Sequence, residues 1–248
     1  MAQLTGKTAL VTGASRGIGR ATALALAKRG AQVIVHYGSA AAEAEGVVAE
    51  ITKAGGKATA IGADLQAADG PHKLAEQVKK IVGARLDILV ANAGVSKAAT
   101  IEEATTEDFD RLFAVNVRAP FFLVQQLLPV LGTGSSVVLL SSLAAHAAVG
   151  SLYAYAATKG AIDTLVKHFA AALGPQGIRV NAVAPGVVDT DMSNFARTDA
   201  GRDFTLGMQS LKRVAQPDDI ASVIAFLASD EARWVSGDTV RVDGGSKL

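Results

Sequence analysis

The chain has 248 residues, 50% of them hydrophobic and 19% charged, with a formal net charge of +1. That length allows one large core or two small ones, and the near-neutral balance gives no reason to expect nucleic acid or an anionic membrane as partner. There is no cysteine, which excludes disulfides, thiolate catalysis and thiolate metal sites.

Residues 1–7 pass directly into a strand-like run, so no signal peptide is expected. No apolar run approaches about 18 residues, so no membrane span is expected either, and a cytoplasmic location follows as an expectation. Short runs rich in Val, Ile and Leu occur at 8–12, 32–36, 58–62, 88–91, 136–140, 178–182 and 239–242. Helix-like runs lie between them at 18–29, 40–54, 70–82, 107–131, 155–173 and 217–228. Such alternation is the signature of βαβ units and a parallel sheet, and unbroken apolar strands are those covered by helices on both faces. No linker, composition shift or repeat divides the chain. The expectation is one doubly wound α/β domain over 1–248, a seven-stranded parallel sheet with helices on both faces.

The first turn reads Val11-Thr12-Gly13-Ala14-Ser15-Arg16-Gly17-Ile18-Gly19-Arg20. It follows a strand and opens a helix, the context in which backbone N–H groups and a helix N-terminus meet a pyrophosphate. Gly13, Ser15, Arg16, Gly17, Ile18 and Gly19 are therefore cofactor candidates. The second strand ends in His36-Tyr37-Gly38-Ser39 with no carboxylate before Glu43. A carboxylate there would bind ribose hydroxyls and favour NAD. Arg16 would instead welcome a 2′-phosphate, with Tyr37 and Ser39 close by, so NADP(H) is preferred and NAD(H) stays open. Asp64-Leu65, after the third strand, either caps the next segment or meets the adenine. Asn92-Ala93-Gly94, after the fourth, lies where open α/β sheets bind ligands, or is a turn requiring Gly and Asn.

Pro120 follows Asn116 by four residues. In a continuous helix the Asn116 carbonyl would lose its usual donor and would need another partner, for which a water is the reading. The chemistry is placed in the stretch from Ser141 to Lys159. Tyr155 and Lys159 are four apart, on one face of a helix, and an ammonium beside a phenol lowers its pKa. Tyr153 has Ala157 four residues on and cannot form that pair. Ser141 and Ser142 point to opposite faces of a strand, and Ser142 can point a hydroxyl at Tyr155. Further on, Pro185-Gly186 makes a rigid turn, Val188 and Thr190 follow, and Thr190 either meets a cofactor amide or caps the next helix. Residues 192–212 are the least regular stretch, a lid or a surface excursion.

Together these motifs resemble the classical short-chain dehydrogenase/reductase family, from about Leu4 to Gly245. The resemblance rests on Thr12 to Gly19, Asn92 to Gly94, Asn116, and Ser142 with Tyr155-x-x-x-Lys159 in order and spacing. It implies a Rossmann-like subunit that moves a hydride between NAD(P)H and a carbonyl or secondary alcohol, commonly in a homotetramer. By that resemblance Tyr155 is the general acid in reduction and the base in oxidation. Lys159 binds ribose hydroxyls and lowers the Tyr155 pKa, Ser142 holds the substrate oxygen, and Asn116 anchors a water leading from Lys159 to solvent. Thr190 and Val188 meet the carboxamide, Asp64 meets the adenine, and Arg at position 16 goes with NADP(H). The chain departs from the family at Ala91, commonly Asn, and at Gly38, where many NADP members carry Arg. Gly132-Thr133 and Gln176 stand where relatives that act on acyl carrier proteins present basic residues. The implied reading is an NADP(H)-dependent reductase of a small, largely apolar ketone. Its pocket would come from Leu143, His146, Val149, Gly186, Met192 and Phe195, and no metal is expected. A 3-oxoacyl carrier-protein reductase and a non-catalytic NADP-sensing protein are the alternatives.

Overall fold

Runs of β-branched and aliphatic residues can be buried on both faces only in the interior of a sheet, and all seven of the apolar runs are strands. The computed structural model describes residues 4–248. The strands are β1 (Thr8–Val11), β2 (Gln32–Tyr37), β3 (Lys57–Gly62), β4 (Ile88–Ala91), β5 (Ser136–Leu140), β6 (Arg179–Pro185) and β7 (Thr239–Val242). They form one sheet in the order β3-β2-β1-β4-β5-β6-β7, with every pairing parallel. The helices are α1 (Gly17–Lys28), α2 (Ala41–Lys53), α3 (Gly70–Val82), α4 (Thr106–Phe113), α5 (Ala119–Leu127), α6 (Tyr153–Leu173), α7 (Asp199–Met208) and α8 (Pro217–Leu227).

Alternation along each strand sorts the core into two layers. Val11, Val35 and Val90 pack with Leu26 of α1, Val47 of α2 and Ile224 of α8. Leu10, Ile34 and Leu89 pack with Leu74 of α3, Leu123 of α5 and Ile162 of α6 on the other face. Strand order reverses direction between β1 and β4, which opens a crevice at their carboxyl ends, the usual ligand position in such sheets.

Three local expectations change. The run expected as one helix over 107–131 is α4, a wider π-type turn over Ala114–Arg118, α5 and a short 3-10 turn. The cause is Pro120, which has no N–H to give the Asn116 carbonyl. Widening one turn, with Ala119 N–H on Ala114 O, lets the helix continue past it. This run, Thr106–Val130, is also long and apolar enough by length and composition to cross a membrane, contrary to the sequence expectation. Its Leu112, Leu123, Val124 and Leu127 are buried in the core. Lastly, the stretch 192–212 is more regular than its sequence suggests: 3-10 turns over Asp191–Arg197 lead into α7, which is capped by Thr198 accepting from Gly201 N–H at 3.2 Å.

Candidate active site

The Gly-rich loop sits at the crevice, and its glycines are required by contact as well as by conformation. Gly13 has φ +62°, and a Cβ there would lie 2.9 Å from Ala93 Cα. A Cβ on Gly19 would lie 2.2 Å from the Gly13 carbonyl oxygen. The loop therefore packs backbone on backbone and leaves α1 opening at Gly17, with no side-chain cap on its first N–H groups. Free N–H donors at a helix N-terminus, beside a cradle that a Cβ would fill, fit a pyrophosphate.

Two neighbours hold this loop from below. The His36 imidazole Nδ1 accepts from Gly13 N–H at 3.2 Å, and its Nε2 lies 3.0 Å from the Ala63 carbonyl. One ring nitrogen must accept and the other donate, so the ring is neutral with its proton on Nε2. Burial pulls its pKa from 6.5 down to about 4. From β4, Asn92 Nδ2 donates to the Thr12 and Gly13 carbonyls at 2.8 and 3.2 Å, and Ala93 N–H donates to Thr12 Oγ1 at 2.9 Å. Asn92 and Ala93 are thus the staple across the crevice, while Gly94 lies close to Asn116 and Lys159. Sequence reasoning missed His36 and Thr12 as supports. A histidine directly continuing the apolar run Val33-Ile34-Val35 was the available signal.

At the adenosine end, Asp64 Oδ1 accepts from Gln66 N–H at 2.9 Å, which answers to the capping alternative, and Leu65 is buried. Tyr37 packs on Gly62, whose Cβ would lie 2.9 Å from the ring. Ser39, two residues on from Tyr37, is exposed, and Ser15 is buried. Arg16 points across the crevice, its Nη1 3.7 Å from Asp191 Oδ2. Asp191 also meets Arg197 at 3.6 Å, and Arg197 holds Asp189 at 2.7 Å. Thr190 rests on Gly17, whose Cβ would be 3.3 Å from Thr190 Cγ2. Its hydroxyl makes no cap to the turns that follow; it donates to the Val188 carbonyl at 3.4 Å. Gly186 packs against Asp243, a Cβ there reaching 2.9 Å from Asp243 Cα, which fixes the Pro185-Gly186 turn. A cavity of about 400 Å³ lined by Gly17, Arg20, Asp189, Thr190 and Arg197 opens beside the loop.

The catalytic candidates converge where β5 ends and α6 begins. Ser142 accepts from Ala144 N–H at 3.1 Å, so its own proton is free to be donated. It hydrogen bonds toward the Tyr155 hydroxyl and favours the phenolate, but burial is the larger effect and raises the phenol pKa. The expected depression by Lys159 is not what governs Tyr155. The Lys159 ammonium donates to the Leu140 carbonyl at 2.7 Å and stands 5.6 Å from the Tyr155 ring centre. Burial lowers the Lys159 pKa from 10.5 to about 8, with Asp163 acting in the opposite sense. Ser141, just past the end of β5, is buried and donates to the Lys159 carbonyl at 3.4 Å. Tyr153 stays exposed.

Asn116 has a fully occupied side chain. Oδ1 accepts from Val95 N–H at 2.9 Å, and Nδ2 donates to Val95 O at 2.9 Å and to Thr158 Oγ1 at 3.1 Å. Thr158 in turn donates to the Tyr155 carbonyl at 2.6 Å. The amide thus ties the loop after β4 to the second turn of α6, and only the Asn116 backbone remains for a water.

The proposed substrate residues are less unified. Leu143 is buried, Val149 half-buried, Met192 and Phe195 exposed. His146 is turned to Asp163, Nε2 to Oδ2 3.2 Å. None of them lines the 400 Å³ cavity or a larger one of about 700 Å³, which lies at the amino ends of β1, β2 and β3.

With this geometry in view, three comparisons become informative. A protein-family model described as enoyl-(acyl carrier protein) reductase matches residues 13–247. A trihydroxynaphthalene reductase of Colletotrichum orbiculare is 40% identical over 98% of the chain and 90% of its own length. Among solved structures, the angucycline C-6 ketoreductase LanV with bound NADP superposes with a TM-score of 0.94 at 43% identity, covering 100% of this chain and 98% of its own. A short chain dehydrogenase from Burkholderia cenocepacia in complex with NADP gives 0.95 at 37% identity, covering 99% and 100%.

Proposed function

The chain belongs to the short-chain dehydrogenase/reductase family, and from that premise we propose that it is an NADP(H)-dependent ketoreductase with Tyr155 as its proton donor. The observation that carries this reading is the Ser142–Tyr155–Lys159 cluster at the mouth of the crevice stapled by Asn92. In support, LanV is a C-6 ketoreductase and the Colletotrichum relative a trihydroxynaphthalene reductase, and LanV and the Burkholderia dehydrogenase hold NADP.

The phosphate loop and the first turn of α1 would hold the pyrophosphate, Arg16 the 2′-phosphate, and Lys159 the ribose hydroxyls next to the nicotinamide. When bound, the nicotinamide supplies the hydride that reduces the carbonyl carbon. Ser142, with its proton free, donates a hydrogen bond to the substrate oxygen. Tyr155 keeps its proton at neutral pH because burial raises its pKa, which suits it to protonate that oxygen as negative charge develops. The phenolate left behind faces the Lys159 charge, and the single Ser142 proton can turn to it only once the product oxygen has left. The Asn116 backbone carbonyl, by resemblance, anchors the water that returns a proton through Lys159.

The substrate proposed is a largely apolar ketone, and the relatives' names favour a ring ketone of the naphthol or angucycline type. The family description keeps a carrier-bound acyl substrate as a second reading. Against it, Gly132-Thr133 and Gln176 stand where relatives that act on acyl carrier proteins present basic residues. A cytoplasmic homotetramer belongs to the same proposal; exposed Trp234 offers an apolar contact, and sedimentation should return four subunit masses.

The test is NADPH oxidation across ring ketones, small aliphatic ketones and acyl thioesters. Tyr155→Phe should lose at least about 10²-fold in rate. Undiminished turnover in that variant would sink the mechanism, and acyl thioesters far outpacing free ketones would move the assignment to the carrier-bound class.

A further inference from the structure

One acidic side chain lies behind the catalytic cluster and has no part in the mechanism so far. Helix α6 places Tyr155, Lys159 and Asp163 at successive turns of one face. Asp163 is the one carboxylate on this helix, and its side chain is 18% exposed. Both of its oxygens are engaged from other elements. Thr239 Oγ1, on β7, donates to Oδ1 at 3.0 Å. His146 Nε2, on the turn after β5, lies 3.2 Å from Oδ2, which makes Nε2 the natural donor in either protonated form of the ring.

We propose that Asp163 is a positioning residue for the reaction, fixed by Thr239 and His146 so that its negative charge keeps Lys159 protonated one helical turn away. This rests on the ketoreductase reading, in which a charged Lys159 serves both the ribose and the phenolate.

The physical argument is that Lys159 is buried almost completely, and a buried ammonium without a counter-charge gives up its proton. The groups around it supply few alternatives. Tyr155, on its own helix, is neutral when protonated. The β4 loop and the π-type turn contribute the Gly94 backbone and the uncharged Asn116 amide. The end of β5 contributes Ser141, Ser142 and the Leu140 carbonyl. His146 faces Asp163. Asp163 is the charge that raises the Lys159 pKa against burial, which leaves it at about 8. The carboxylate is held on two sides, by Thr239 and by His146, which keeps it oriented one turn from the lysine.

A lysine that must be charged supports turnover below its pKa and fails as pH rises through it. Removing the Asp163 charge lowers that pKa, so failure arrives at lower pH.

The experiment uses protein labelled with ¹⁵N at lysine Nζ, with the Lys159 signal assigned through Lys159→Met, and is run first without nucleotide. Asp163→Asn, which keeps the shape and can still accept from Thr239, should move the Lys159 midpoint downward by about half a pH unit or more. The alkaline limb of kcat/KM for ketone reduction should move the same way. Asp163→Glu should bring both back toward wild type. Asp163→Ser, also uncharged and smaller, serves if the amide packs badly. A midpoint and limb unmoved in the folded uncharged variants would overturn the proposal. So would a uniform loss of activity at all pH values with the midpoint unmoved, which is the mark of a tie between α6 and β7 alone. The NMR arm needs no turnover, so it separates failure of this inference from failure of the ketoreductase reading, which Tyr155→Phe decides.

Discussion

His36 shows how a single side chain can commit a site without touching its ligand. It is 1% exposed, accepts from Gly13 N–H and donates toward Ala63 O. Protonation would turn the accepting nitrogen into a donor aimed at another donor. Its folded pKa is depressed, from 6.5 to about 4, so the unfolded chain binds the extra proton first as pH falls. The stability that neutral His36 contributes is therefore complete above pH 6.5 and lost on the way down to about pH 4, amounting to roughly 3 kcal/mol. Urea unfolding at pH 7, 5.5 and 4.5 should show this decline in the wild type and a shallower one in His36→Gln. Equal slopes would remove His36 from the account. The residue-scale reading of the catalytic cluster fared differently by type. Spacing on a helix is local, so Tyr155 over Tyr153 was legible, whereas Ser142 over Ser141 came from the family's spacing, since β5 ends at Leu140 before either serine. The sign of the Tyr155 shift was not legible, because burial is a property of everything packed around the phenol.

At the scale of elements, the β1–α1 turn and the run from α4 to α5 carry opposite lessons. The turn could be read from its glycines, and the structure supplies the reason they are needed. Gly19→Ala would drive a Cβ to 2.2 Å from the Gly13 carbonyl, forcing the loop to shift. The expected results are a loss of about 1–3 kcal/mol in stability and NADPH binding weakened at least about tenfold in a fluorescence titration. Gly46→Ala, on the exposed face of α2 with nothing within 4 Å of its Cβ, is the control and should gain up to about 1 kcal/mol. An Ala at position 19 that binds as the wild type does would refute the close-contact account. The run from α4 to α5 was expected as one regular helix because its apolar pattern is continuous. Pro120 marked the place of the irregularity, yet the π-type turn that resolves it depends on how α4 and α5 pack on the sheet and on α6. The same holds for 192–212, where a weak periodic pattern hid α7.

For the whole molecule, the fold brings Arg16, in the turn after β1, against Asp191, in the segment after β6. Both side chains are mostly exposed, 71% and 63%, so this pair contributes little by itself, and a bound 2′-phosphate would take Arg16 at small cost. Arg16→Ala should therefore lower kcat/KM with NADPH by about tenfold or more, the worth of a charge-assisted hydrogen bond, and change NADH turnover by no more than about twofold. An unchanged NADPH to NADH ratio would assign the 2′-phosphate elsewhere. What the amino-acid sequence determined by itself is whatever depends on short-range pattern: the seven strands, the glycine-rich turn and the spacing of Tyr155 and Lys159 on one helix face. Only the tertiary structure decided which charges and dipoles face each other. Asn92 became a staple, Asn116 a saturated strut, His146 a partner of Asp163, and Lys159 an amine losing its proton near pH 8. Those outcomes rest on burial and on contacts between residues far apart in the chain, and no local spacing encodes either.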